Sequence, residues 1–169
     1  IGFAKNLIAN NCISTIEEND TILTYGNSSV VREVLLTAAK TKTFRLVMVD
    51  SRPLNDGLIT LKCLPSHIAC TYTSISGASS AIEEVTQVIL GASAVLSNGA
   101  VIAPAGTAMV AALAKTRRVP VVIAAESYKF CEKVQLDSIV FNELGSELEV
   151  VSFGGGEEAQ GSGEKTEKK

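Results

Sequence analysis

Residues 22–53 read ILTYGNSSVVREVLLTAAKTKTFRLVMVDSRP, and the fold follows from this stretch. It opens on a short apolar run at 22–25 and breaks at Gly26-Asn27-Ser28-Ser29. Val30, Val31, Val34, Leu35 and Ala38 then recur at the three- and four-residue spacing of one helical face. A second β-branched run occupies 45–49 and stops at Asp50-Ser51-Arg52-Pro53. Strand, helix and strand in that order make a βαβ unit, whose strands lie parallel because the helix carries the chain back across the sheet. Both runs are mostly apolar without alternation, as in strands covered on two faces.

Working outward, further short runs at 69–73, 94–96 and 121–124 predict a parallel sheet of five strands. Ile82, Val85, Val88 and Ile89 form a second helical stripe that stops at Gly91. The Ala-rich segment 105–118 finishes with Lys115, Arg117 and Arg118, cations suited to the negative end of a helix dipole, before Val119-Pro120 releases the chain into the last strand. A helix over 3–17, with Leu7, Ile8 and Ile13 as its apolar positions, precedes the first strand, and Asn19 and Asp20 make the turn. From Gly154 onward the chain is too polar and glycine-rich to offset its ordering entropy. The expectation is an α/β, Rossmann-like parallel sheet with helices on both faces, a short N-terminal helix and a disordered C-terminal tail. By residue these are a helical segment at 1–20, an α/β domain at 21–150 and a Gly/Glu/Lys-rich loop or tail at 151–169.

A chain of 169 residues buries roughly 70% of its unfolded surface in one core. Its net charge of −3 gives no basic footprint for nucleic acid and no attraction to anionic membranes. No run reaches the roughly 18 apolar residues that span a bilayer, and the start Ile1-Gly2-Phe3-Ala4-Lys5 lacks an export signal. Beginning at Ile1, the chain is expected to be a piece of something longer. Cys12, Cys63, Cys70 and Cys131 form no C-x-x-C pair, which argues against zinc, redox dithiol and disulfide roles and predicts reduced thiols in the cytoplasm. Cys12 and Cys131 read as buried and inert.

In an open α/β sheet, ligands bind beyond the carboxyl ends of the strands. After the first strand, Gly26, Asn27 and Ser28 meet a helix N-terminus, which makes either an anion seat or a plain N-cap. After the second, Asp50 stands near where a dinucleotide fold keeps its ribose-binding carboxylate, yet no G-x-G-x-x-G accompanies it. Arg52 there offers a bidentate fork for phosphate or a surface ion pair. Asn98, Gly99, Gly106 and Thr107 follow the 94–96 run, as ligand contacts or as caps. Glu126, Tyr128, Lys129 and Phe130 mix charge with aromatics in the manner of a contact surface. His67, the one histidine, lies apart from these ends and reads as solvated surface. A Ser-His-Asp triad and a multi-histidine metal site are thereby excluded, and no catalytic residue, metal or cofactor is assigned.

Taken together, Tyr25-Gly26-Asn27-Ser28-Ser29, Val49-Asp50-Ser51-Arg52-Pro53, Leu90-Gly91-Ala92 with Ser97-Asn98-Gly99, and Gly106-Thr107 resemble the C-terminal domain of one family. That family joins the regulatory subunits (alpha, beta and delta) of eukaryotic translation initiation factor 2B to the methylthioribose-1-phosphate and ribose-1,5-bisphosphate isomerases. The run Tyr128-Lys129-Phe130-Cys131-Glu132-Lys133-Val134-Gln135, with Asn142-Glu143-Leu144, is similar to the delta type. The resemblance covers about 1–144.

The isomerases of that family use a cysteine and an aspartate at positions where this chain has Gly26 and Ser93. Where they carry a further aspartate and an Asn-Lys pair, it has Ala100 and Ala103-Pro104. Glycine can be neither acid nor base, and serine without a partner base replaces a carboxylate poorly. The resemblance therefore implies a non-catalytic regulatory and scaffold subunit of the guanine-nucleotide exchange complex for initiation factor 2. Its implied partners are the other subunits, beta first and then alpha, gamma and epsilon. It also implies contact with initiation factor 2, including its phosphorylated alpha subunit, in the integrated stress response. Two parts of the family pattern, most of an N-terminal helical domain and a C-terminal segment, are not in the sequence. The runner-up is a ligand-binding sensor of sugar phosphate or nucleotide, followed by a sugar-phosphate aldose-ketose isomerase.

Overall fold

The computed structural model describes residues 2–137, 144–146 and 150. The expected tail at 151–169 lies outside the described residues. Helix α1 (Gly2–Ile13) leads into β1 (Thr21–Tyr25), α2 (Ser29–Ala38), β2 (Arg45–Asp50), α3 (Gly57–Cys63) and β3 (Ala69–Ser74). A broken helical segment at 75–84, with α4 (Ala78–Ala81) at its centre, precedes β4 (Gln87–Gly91). After it come β5 (Ala94–Leu96), β6 (Val101–Ile102), α5 (Thr107–Thr116), β7 (Val121–Ala124) and β8 (Phe130–Cys131). The main sheet is parallel throughout, in the order β3-β2-β1-β4-β7.

The period of two in a strand sends alternate residues to opposite faces, and two cores result. Ile22, Leu46, Met48 and Ile89 face α1 and α2, whose Ala9, Val30, Val31, Val34, Leu35 and Ala38 close the first core with Ile16 and Phe44. Leu23, Tyr25, Val47, Val49, Val88 and Leu90 face the other way, toward Ala78, Ile82, Val110 and Ala114. Each fully buried aliphatic side chain contributes about 1.5–3 kcal/mol. The predicted stripe of α2 is buried at all five positions. Helix α1 and the turn after it share the first core through Ala9 and Ile16.

The structure corrects several expectations. The stripe Ile82, Val85, Val88, Ile89 is buried but not one helix: helix ends at Glu84, and Val88 and Ile89 lie in β4. Gln87–Gly91 is a short run covered on both sides, and periodicity cannot tell such a strand from a buried helix. The 94–96 run is therefore not the fourth strand of the main sheet. It is the middle of a second sheet, β6-β5-β8, antiparallel to β6 and parallel to β8. The first helix stops at Ile13 rather than near 17, because Ser14 Oγ and Thr15 Oγ1 bond back to the carbonyls of Asn11 (2.7 Å) and Cys12 (2.8 Å). Leu7 is exposed, and Lys42 Nζ caps the carbonyls of Ile13 (2.7 Å) and Ile16. The 105–118 helix is confined to Thr107–Thr116, and α3 had no expected counterpart. Cys131 is exposed and Cys12 half-buried, where both were expected buried; burial raises the Cys12 thiol above its ordinary pKa. His67 is exposed, with Nε2 3.1 Å from the Ala39 carbonyl.

Candidate functional site

Strand order places the switch point between β1 and β4, whose connections leave on opposite faces of the sheet. A cavity of about 1100 Å³ opens there. One wall is the β1 end, Tyr25 to Ser29; a second is the β2 end, Asp50 to Leu54 with Asp56. The third is the β4 end, Leu90 to Ser93, and Pro104, Ala105, Thr107 and Lys129 complete the described strand-end lining.

On the β1 wall, Ser28 is the N-cap of α2, its Oγ accepting from Val31 N at 3.5 Å. Asn27 Oδ1 accepts from Arg32 Nη1 (3.1 Å) and Thr60 Oγ1 (3.2 Å), which ties α2 to α3. Tyr25 is buried, and its hydroxyl donates to the Ala105 carbonyl at 2.5 Å with Ser51 Oγ 2.8 Å away. It thereby braces the loop before α5.

On the β2 wall, Asp50 is 3% exposed. Its Oδ2 accepts from Gly57 N (2.7 Å) and Tyr72 OH (3.1 Å), and its Oδ1 from Ser51 N (2.9 Å). Those bonds close the 51–56 loop and fix α3, so this carboxylate is engaged rather than offered to a ribose. Tyr72 sits above its ordinary phenol pKa through desolvation, its bond to Asp50 and the Asp50 charge, with Arg52 opposing. Arg52 is exposed, follows the engaged Asp50, and precedes Pro53 through a cis peptide. Its guanidinium makes no hydrogen bond or ion pair among the described residues.

At the β4 and β7 ends, Lys129 Nζ donates to the Ala92 carbonyl at 2.7 Å and lies 2.7 Å from Glu126 Oε2. Glu126 is 1% exposed and accepts from Tyr128 OH at 2.9 Å. Burial alone would raise its carboxyl; hydrogen bonds from Lys129, its own amide and Tyr128, with the Lys129 charge, outweigh that and hold it below the usual range.

Of the anticipated pocket residues, Gly26, Asn27, Ser28, Arg52 and Thr107 do line the cavity, as does Ser93. Gly106 lies behind Tyr25, next to two lining residues. Asn98 and Gly99 do not reach it: they turn the β5-β6 hairpin, where Asn98 Nδ2 donates to the Gln135 carbonyl (2.9 Å) and Oδ1 accepts from Ala100 N (3.1 Å). They were misplaced because 94–96 belongs to the second sheet. Of the anticipated contact residues, Tyr128 and Phe130 are exposed, but Glu126 is buried and Lys129 faces the cavity. Nothing in the local sequence distinguishes a Glu that pairs inward from one that faces solvent. Among the described residues no group of His, Cys, Asp and Glu is placed to hold a metal, and no helix is long and apolar enough to cross a membrane.

The family model described as the initiation factor 2 subunit family matches residues 2–164. The chain is 45% identical over 153 residues to translation initiation factor eIF2B subunit delta of Schizosaccharomyces pombe, covering 89% of this chain and 33% of that protein. It is 37% identical over 138 residues to the ribose 1,5-bisphosphate isomerase of Pyrococcus furiosus, covering 80% of this chain and 43% of the isomerase. It superposes on a chain of the tetrameric eIF2B-beta2-delta2 complex from C. thermophilum with a TM-score of 0.78 and 33% identity, over 82% of this chain and 46% of that one. The chain thus spans less than half the length of each of these relatives. With its parallel sheet, its cavity at the switch point and a match along most of its length, this chain belongs to the initiation factor 2 subunit family.

Proposed function

We propose that this chain acts as a non-catalytic regulatory and scaffold subunit, of delta type, in the cytoplasmic exchange complex for initiation factor 2. In this reading residues 21–150 form the α/β unit, the segment 1–20 packs on it, and Tyr128 and Phe130 lie on the side that meets a beta-type subunit. Contact with initiation factor 2 phosphorylated on its alpha subunit belongs to the same assembly. One observation carries the reading. Gly26 and Ser93 line the cavity at the β1 and β4 ends, at the positions where the resembled isomerases carry a cysteine and an aspartate, so neither end offers that proton donor and acceptor. Among the described lining residues the carboxylates, Asp50 and Asp56, stand on the β2 side, with Asp50 engaged by Gly57 and Tyr72. Co-expression with a beta-type subunit, followed by native mass measurement, is expected to give a complex containing both chains. The purified complex is expected to leave ribose 1,5-bisphosphate unconverted. A chain that stays monomeric beside the beta-type subunit, or turnover that follows the protein through purification, defeats the proposal.

A second reading, an anion-binding sensor, is favoured by Arg52, which has no hydrogen bond or ion pair among the described residues and lines the same cavity as the N-terminus of α2. Ribose 5-phosphate at ten times its dissociation constant is expected to raise the melting temperature by about 3–6 °C. Arg52→Ala is expected to abolish the rise while leaving the unliganded melting temperature within about 1 °C, since the exposed side chain supports no packing. Equal shifts in the two proteins would remove Arg52 from the site.

A further inference from the structure

The Glu126–Lys129 pair at the end of β7 is not used by either reading. Glu126 Oε2 has the Lys129 ammonium at 2.7 Å and no other partner among the described residues. A carboxylate buried to 1% exposure remains charged only with such a partner. Lys129 is shared, however. Its Nζ also holds the Ala92 carbonyl on the cavity wall, and its side chain lines the cavity. The turn that carries it, Ser127–Lys129, has no buried residue and is closed by the bond from Lys129 N to the Glu126 carbonyl at 2.9 Å. The same turn sets Tyr128 and Phe130 outward, 59% and 63% exposed, with Phe130 paired to Val95 in the second sheet. One ammonium thus joins a cavity wall, a buried carboxylate and an aromatic surface.

We propose that the Glu126–Lys129 pair couples occupancy of the cavity to the placement of Tyr128 and Phe130. An oxyanion in the cavity competes with Glu126 and the Ala92 carbonyl for the Lys129 ammonium. As the carboxylate loses its cation, leaving it dry is unfavourable, and the weakly held turn opens to hydrate it. Tyr128, bonded to the same carboxylate, moves with it, and Phe130 follows as the next residue but one. The consequence for a beta-type partner rests on the function proposed above. By linkage, whatever an anion does to that contact, the contact does to anion affinity by the same factor.

The test is a titration of the full chain, with isotope-labelled Tyr and Phe rings, by inorganic phosphate. Saturable movement of the Tyr128 and Phe130 resonances is expected, while Phe44, buried in the first core, stays in place. Glu126→Gln keeps the shape but removes the charge that holds Lys129. It is expected to bind phosphate about fivefold more tightly or better, with smaller ring movement. Rings unmoved through tens of millimolar phosphate overturn the coupling, as does an unchanged phosphate affinity in Glu126→Gln. Adding the beta-type subunit separates the two claims: ring movement without pairing upholds the coupling and rejects the partner, whereas pairing without ring movement does the reverse.

Discussion

Gly106→Ala is expected to lower stability by about 3 kcal/mol, which for a domain of this size means a melting temperature lower by about 6–12 °C. Two costs add. Gly106 has φ +99, a region that an L side chain occupies at a cost of about 1–2 kcal/mol. A Cβ there would also stand 2.5 Å from Tyr25 Cζ, with the hydroxyl closer still. Tyr25 cannot retreat without leaving the Ala105 carbonyl and Ser51, so overpacking adds about 1–3 kcal/mol. Gly99→Ala is the comparison, because φ is +83 but nothing lies within 4 Å of the added atom. Thermal melts of both variants should differ by the steric part alone. Equal losses would show that the Tyr25 brace is not rigid.

Lys129→Met carries the second large effect, a loss of about 3–5 kcal/mol, because it leaves the Glu126 carboxylate buried without a cation. Pairing it with Glu126→Gln should recover most of that loss, since a neutral amide can keep the Tyr128 bond without needing a charge. Urea denaturation of the single and double variants measures the coupling. The pH dependence has a definite sign. The folded carboxyl of Glu126 lies below its unfolded value, so its contribution is complete above the unfolded value and is lost as pH falls through the folded one. Glu126→Gln should therefore flatten the acid limb of the stability curve. An acid limb identical to that of the parent would show that another carboxylate governs it.

Particular residues show where reading the sequence succeeds and where it stops. The α2 stripe and the strands at 22–25 and 45–49 were legible because each lies in a single local period. Val88 and Ile89 were assigned to a helix because a five-residue buried strand and one and a half helical turns place apolar residues alike. That one error displaced Asn98 and Gly99 from a hairpin into the pocket. The place of Asn27, Ser28 and Arg52 at the cavity is legible because they follow recognisable strands, while that of Lys129 is not, because its partners, Ala92 and the inward-turned Glu126, are set by how the sheet closes.

By itself the sequence determined the βαβ framework, the family and the absence of an acid or base at positions 26 and 93. These depend on residue type and short spacing, which the chain carries along its length. Only the tertiary structure decided that the cavity lies between β1 and β4, that Tyr25 braces the loop before α5, and that Glu126 turns inward to Lys129. Each of those joins residues distant in sequence or selects between two faces of one strand. Such choices are made by packing and desolvation across the whole fold, not by any local pattern.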